Sequence, residues 1–167
     1  ILLQGCEDVD DHQLPRPDME AQSFGKYISA IYRHSQILIS DRLQPFQIGS
    51  GQYIFLLTIA EYEGISQKAL SERLAMDKTT TAKAVGKLEK LGYVSRKSSP
   101  LDHRYNELYL TDLGKSVVPK VKNILNELTT WSLAGVSDEE YKAMMNALRK
   151  SLFNIRRLVR NGELETE

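Results

Sequence analysis

Between Ser66 and Gly92 the chain carries two helical segments with almost nothing between them, and that spacing constrains the fold more than any other feature of the sequence. Ser66 is a good N-cap for a short helix bearing Leu70 and Leu74, because its hydroxyl can accept from a first-turn N–H that has no helical partner. After Ala75 and Met76 a second N-cap, Asp77, opens another helix that runs to Leu91 and stops at Gly92. Two helices joined by a three-residue turn read as a helix-turn-helix.

The flanking segments extend this unit. Tyr93, Val94 and Ser95 read as a strand entering the turn-rich run Ser98-Ser99-Pro100, with a return strand near Glu107 to Leu110, so a hairpin follows the second helix as a candidate wing. Upstream, Phe24, Tyr27, Ile28, Ile31, Tyr32, Leu38 and Ile39 recur at helical spacing until Pro45 stops the pattern. The segment from Gln52 to Tyr62 is apolar nearly all round, which assigns it to the core. Downstream, Thr111 caps a helix carrying Val117, Val121, Ile124, Leu125, Leu128 and Trp131, with Pro119 expected at a kink or local distortion. Ser137 and Glu140 form a capping box for a last helix with Tyr141, Met144, Met145, Leu148, Leu152, Ile155 and Val159 in register. The expected fold is mainly α with a small β-hairpin wing. A winged helix-turn-helix head occupies 48–111, helical dimerisation regions occupy 23–46 and 112–162, and an acidic, mobile tail occupies 1–22.

Composition narrows the class. A chain of 167 residues with 41% hydrophobic content can bury a real core, and one compact unit is the default expectation. Basic and acidic residues balance at 22 each, but not locally. From Ile1 to Ser23 six acids face only Arg16, whereas from Ser66 to Glu107 nine bases oppose five acids. The basic charge therefore coincides with the helix-turn-helix and hairpin. Cys6 is the only cysteine, which leaves no disulfide framework and no thiolate metal cluster; it reads as an incidental thiol, with a redox switch as the alternative. No apolar run approaches the ~20 residues of a membrane span, and the first residues lack the layout of a signal peptide, so a soluble cytoplasmic protein with no membrane partner is expected.

The second helix of the motif divides into two faces. On a wheel of about 100° per residue with Val85 at the centre of the buried side, Lys78, Thr81, Ala82, Leu88 and Glu89 fall near it. Thr79, Thr80, Lys83, Lys87 and Lys90 fall opposite. Short hydroxyls in the first turn and lysines further along suit a helix laid in a major groove, with its N-terminal amides aimed at phosphate and Lys83 and Lys87 reaching bases or phosphates. Around the hairpin tip stand Arg96, Lys97, His103 and Arg104, and Asp102 lies two residues from Arg104, on the same face of an extended segment. An arginine there suits the negative potential of a narrow minor groove. An ordinary amphipathic helix with a solvated lysine face, and a surface ion pair at the hairpin, remain the plain alternatives.

In order, Gly64-Ile65-Ser66-Gln67-Lys68-Ala69-Leu70-Ser71, Asp77-Lys78-Thr79-Thr80-Thr81, Leu88-Glu89-Lys90-Leu91-Gly92-Tyr93-Val94, Asp102-His103-Arg104 and Leu110-Thr111-Asp112-Leu113-Gly114 resemble the multiple-antibiotic-resistance regulator (MarR) family. The resemblance implies a homodimer with interleaved terminal helices that covers a pseudo-palindromic site on double-stranded DNA, mostly as a repressor. It implies release by a small, often phenolic or anionic effector entering between the dimerisation helices and the head. Residues from Lys78 to Lys87 would enter the major groove and Arg104, oriented by Asp102, the minor groove. His103, where the family often has an arginine, and the bulky Tyr105 depart from the pattern.

The terminal helices carry more apolar face than a head of this size covers, which makes Phe24, Ile28, Ile31, Leu148, Leu152, Ile155 and Leu158 the expected dimer contacts. Tyr32, Arg33, His34, Tyr53 and Trp131 combine aromatic faces with polar or cationic groups and are the candidate effector contacts. His12, His34 and His103 stand in no metal-spaced pair, and neither a Gly-rich phosphate loop nor a nucleophile elbow occurs. No catalysis, metal or cofactor is expected. The competing reading is a winged-helix module that binds a protein partner through the same exposed surface.

Overall fold

The computed structural model describes residues 17–98 and 106–161. In chain order they form α1 (Pro17–Leu43), a 3₁₀ turn (Gln44–Phe46), α2 (Tyr53–Glu61), β1 (Ile65–Ser66), α3 (Gln67–Leu74), α4 (Lys78–Lys90), β2 (Val94–Ser98), β3 (Asn106–Leu110), α5 (Asp112–Ser132) and α6 (Asp138–Asn161). The chain divides into two compact units between Leu128 and Thr129, where one had been expected.

In the first unit a small antiparallel sheet in the order β1-β3-β2 backs the helices. β3 lies centrally, with Ile65 opposite Leu108 on one side and Val94 opposite Leu110 on the other. The expected hairpin is therefore three-stranded. The short β1 carries no periodicity of its own and exists because the residues before α3 pair with a strand some forty positions later.

The core contains Ile39 and Leu43 from α1, Phe55, Leu56 and Ile59 from α2, Leu70 from α3, Ala84, Val85 and Leu88 from α4, and Val117, Val118 and Val121 from α5. Ile48, before α2, and Tyr93, Val94 and Leu108, on the sheet side, complete it. This corrects the expected partition of head from dimerisation helices: the end of α1 and the first half of α5 belong to the head's own core. A second correction concerns the tail, because α1 begins at Pro17, inside the stretch read as a mobile tail. Pro is well tolerated in a first helical turn, where its missing N–H would have no partner.

Local chemistry sets the element ends. Ser66 accepts from the N–H of Ala69, Thr111 from the N–H of Gly114, and Ser137 and Glu140 close their capping box reciprocally. The Ser137 N–H first, and then the Ser137 hydroxyl, hold the Glu140 carboxyl below its usual range. α5 continues through Pro119.

The start of α5 is set by a close approach. The carbonyl oxygen of Tyr93 accepts from the N–H of Thr111 and lies where a side chain at position 114 would begin: a Cβ on Gly114 would fall 2.1 Å from it. Only glycine permits that contact.

The second unit contains α6, where Leu152 and Ile155 are exposed and Leu148 and Leu158 half-buried. Among the described residues no helix is long and apolar enough to cross a membrane.

Two glycines test this packing in opposite directions. Gly114→Ala must displace backbone, so it should lower the unfolding free energy by about 1–3 kcal/mol in a denaturant titration. Gly86→Ala, inside α4 where a Cβ meets nothing within 4 Å, should raise it by ~0.5–1 kcal/mol. Equal effects of the two would contradict the close approach at Tyr93.

Candidate nucleic-acid interface

α3 ends with Ala75 in the left-handed conformation, at a φ of 51°, its N–H bonded to the carbonyl of Glu72 and that of Met76 to the carbonyl of Ser71. This turn reverses the chain in time for Asp77 to begin α4. Asp77 Oδ1 accepts from the N–H of Thr80 at 2.8 Å, and Oδ2 accepts the Thr80 hydroxyl hydrogen at 2.6 Å. Thr81, fully buried, donates its hydroxyl to the carbonyl of Asp77.

The buried face of α4 is Thr81, Ala84, Val85 and Leu88. Its centre is rotated by about 50° from Val85 toward Ala84, which leaves Lys78 and Ala82 exposed where the wheel had placed them inward. The wheel erred because it centred on Val85, whereas Ala84 is small enough to pack directly against the core. Thr79, Thr80, Lys83, Lys87 and Lys90 are exposed as expected.

Within this surface the polar groups have distinct partners. The Thr80 hydroxyl hydrogen is committed to Asp77, so Thr80 offers a neighbour its methyl group and oxygen lone pairs. Lys87 Nζ donates to Gln52 Oε1 at 3.2 Å, across 35 positions of sequence. Arg96 Nε lies 2.9 and 3.0 Å from the two oxygens of Glu89, joining β2 to the end of α4.

Arg96 and Lys97 had been grouped at the hairpin tip. The structure places both within β2, opposite Leu108 and Glu107 respectively, so they point to opposite faces of the sheet. Lys97 stacks its ammonium 4.9 Å from the centre of the Tyr109 ring, and Tyr109 donates its hydroxyl to Glu107. That bond to a carboxylate raises the Tyr109 phenol above its usual value. Asp102, His103 and Arg104 lie outside the described residues, as do Cys6 and most of the acidic tail.

The candidate effector residues are only partly assembled. Tyr53, half-buried at the start of α2, is pushed above the ordinary tyrosine value by burial; its bond with Gln36 opposes the shift and the nearby Tyr32 adds to it. Tyr32, Gln36 and Tyr53 thus meet where α1 faces α2. Arg33 is exposed, and His34 Nδ1 bonds back to the carbonyl of Ala30 on its own helix. Trp131 belongs to the second unit and is exposed there. Among the described residues no group of three His, Cys, Asp or Glu is placed to hold a metal ion.

Sequence reasoning missed Gln52 and the role of Glu89. Gln52 carries no motif, and only the fold brings it to Lys87. Glu89 and Arg96 straddle the Gly92 turn, a spacing that has meaning only once the hairpin is known to fold back on α4.

Two helices across a tight turn, a third helix behind them and a three-stranded wing define a winged helix-turn-helix protein. A family model described as MarR family matches residues 46–104. A MarR transcriptional regulator from Methanosarcina mazei is similar over 82% of this chain and 99% of its own, at 36% identity and a TM-score of 0.77. A MarR-family regulator from Listeria monocytogenes, solved in complex with a 26mer DNA, covers 85% of this chain and 97% of its own at 26% identity and a TM-score of 0.75. The HTH-type transcriptional regulator YybA of Bacillus subtilis is 29% identical over 130 residues, 78% of this chain and 87% of that protein. The chain belongs to the MarR family of transcriptional regulators.

The N-cap of α4 has a pH signature. The Thr80 hydroxyl first, and then the Thr80 N–H, hold the Asp77 carboxyl below its usual value. A depressed folded-state value means a contribution to stability that is complete above the unfolded-state value and lost as pH falls through the folded one. Asp77→Ala should therefore melt below the wild type at neutral pH, and the gap should close on acidification through the aspartate range. A gap that does not change with pH would show that the ionised carboxylate contributes nothing.

Proposed function

We infer that this regulator is a sequence-specific DNA-binding protein that acts in the cytoplasm as a homodimer, repressing from a pseudo-palindromic operator. The observation that carries this reading is the exposed face of α4. Thr79, Thr80, Lys83 and Lys87 stand clear of the core on a helix whose other side is locked into it. The DNA-bound Listeria relative supports the choice of partner. Lys78 in the first turn brings a cation to the positive end of the helix dipole, a position that favours phosphate. Lys83, one turn further on, reaches toward base edges. Arg104, with Asp102 and His103 beside it in the sequence, serves the minor groove, with Lys97 and Arg96 at the root of the wing.

The dimer reading is supported by apolar residues that one chain leaves uncovered. Phe24 and Ile28 on α1 are exposed, Ile31 is 61% exposed, and Leu152 and Ile155 on α6 are 48% and 49% exposed at helical spacing. With Leu148 and Leu158 they provide stripes for a second copy to cover. Two-fold symmetry then puts the two α4 helices on half-sites about 34 Å apart, or a multiple of it. A small aromatic or anionic effector that engages Tyr32 and Tyr53, with Arg33 and His34 as further contacts, releases the DNA. No cofactor and no chemistry are needed.

Selection of bound fragments from sheared genomic DNA at ~150 mM salt should return a palindromic site bound at least ~10³-fold more tightly than a scrambled duplex. Lys83→Ala should change the ranking among site variants, and Leu152→Asp should halve the mass in sedimentation. Weak, equal binding to all duplexes would favour a protein-interaction module instead.

A further inference from the structure

Lys87 is attached to a small turn built to hold it. In the segment Gly49-Ser50-Gly51-Gln52, the N–H of Gln52 donates to the carbonyl of Gly49 at 2.9 Å, and the N–H of Gly49 donates back to Gln52 Oε1 at 2.9 Å. That same oxygen accepts from Lys87 Nζ at 3.2 Å. A side chain at position 49 would intrude here, since its Cβ would stand 2.8 Å from Gln52 Oε1. The turn is tied in turn to α1, where Ser40 Oγ accepts from the N–H of Ser50 at 3.3 Å.

The electrostatic consequence differs from that at Arg96. Arg96 faces a carboxylate, which neutralises its charge locally, whereas Lys87 faces a neutral amide oxygen and, among the described residues, forms no ion pair. An ammonium has three N–H donors. With one used by Gln52, the full positive charge and two donors remain available to an anion, and the bond restricts a side chain that would otherwise lose rotamer freedom on binding. Lys87 also lies nine residues beyond Lys78, about 13 Å along the helix axis, whereas base edges are read by the N-terminal residues of such a helix.

We propose that Lys87 is a DNA-backbone anchor rather than a base reader, and that Gln52 is its positioning residue, holding the ammonium at the junction of α4 and the turn before α2 to meet a phosphate at the edge of the groove. This rests on the DNA-binding reading above. It divides the lysines of α4 by task, with Lys83 free to discriminate and Lys87 held to supply charge.

The test is a set of titrations between ~50 and ~200 mM salt, using the selected operator, its single-base variants and a scrambled duplex, with the unfolding midpoint of every variant measured alongside. Lys87→Ala should weaken binding to every duplex by a common factor of about 3–10, keep the ranking of variants, and reduce the salt slope by about one unit, the loss of one phosphate contact. Gln52→Ala keeps the charge and should weaken binding ~2–4-fold with the slope unchanged. It should have no further effect in the Lys87→Ala background, as expected for residues that act together. Gln52→Glu keeps the acceptor but neutralises the ammonium, so its slope should fall like that of Lys87→Ala. A changed ranking of operator variants in Lys87→Ala would overturn the anchor. An undiminished effect of Gln52→Ala without Lys87 would overturn the positioning role. A wild type that binds no duplex fails the DNA-binding reading itself, and is distinguished by the parent titration.

Discussion

One packed face of α4 governs the rest of the molecule. Thr81, Ala84, Val85 and Leu88 are buried among residues of α1, α2, α3 and α5, and burial of Val85 and Leu88 contributes roughly 1.5–3 kcal/mol each. A helix so held cannot roll, so the residues opposite are presented in one orientation. The same core holds Ile39 and Leu43 near the end of α1 and Val117, Val118 and Val121 in α5. Helices expected to serve dimerisation thus share one core with the helix expected to read DNA, and a close-packed core transmits strain among its members.

Around that core, polar contacts arrange the exposed groups more than they stabilise the fold. An exposed ion pair such as Arg96–Glu89 contributes at most about 1 kcal/mol, but it fixes the first residues of the wing against the last turn of α4. The Asp77–Thr80 bond likewise removes one donor from the exposed surface while closing the helix start. Lys87, Arg96 and Lys97 look alike in the sequence and differ in the fold: one faces a neutral amide, one a carboxylate and one an aromatic ring.

What could be read from the sequence was mostly local. The caps at Ser66, Asp77, Thr111 and Ser137, and the breaks after Leu91 and at Pro45, act within three or four residues and were legible as chemistry. The five exposed residues of α4 opposite its core were legible from helical period alone. β1 was not, since a two-residue strand exists only through its distant partner. The wheel was set slightly wrong because periodicity cannot weigh Ala84 against Ala82. The turn that holds Lys87 lies 35 residues from it and has no signature beyond a glycine and a glutamine. The effector candidates were chosen by residue type, and the fold brings Tyr32 and Tyr53 together around Gln36.

The most direct test of the central claim, that the face of α4 opposite the core reads DNA, is a hydroxyl-radical footprint of the protein on its selected duplex. The account predicts two protected windows related by a dyad and separated by one helical turn of DNA, about 10 base pairs, or a multiple of it, with the pattern lost from a scrambled duplex. Uniform cleavage along the selected duplex at saturating protein would contradict it.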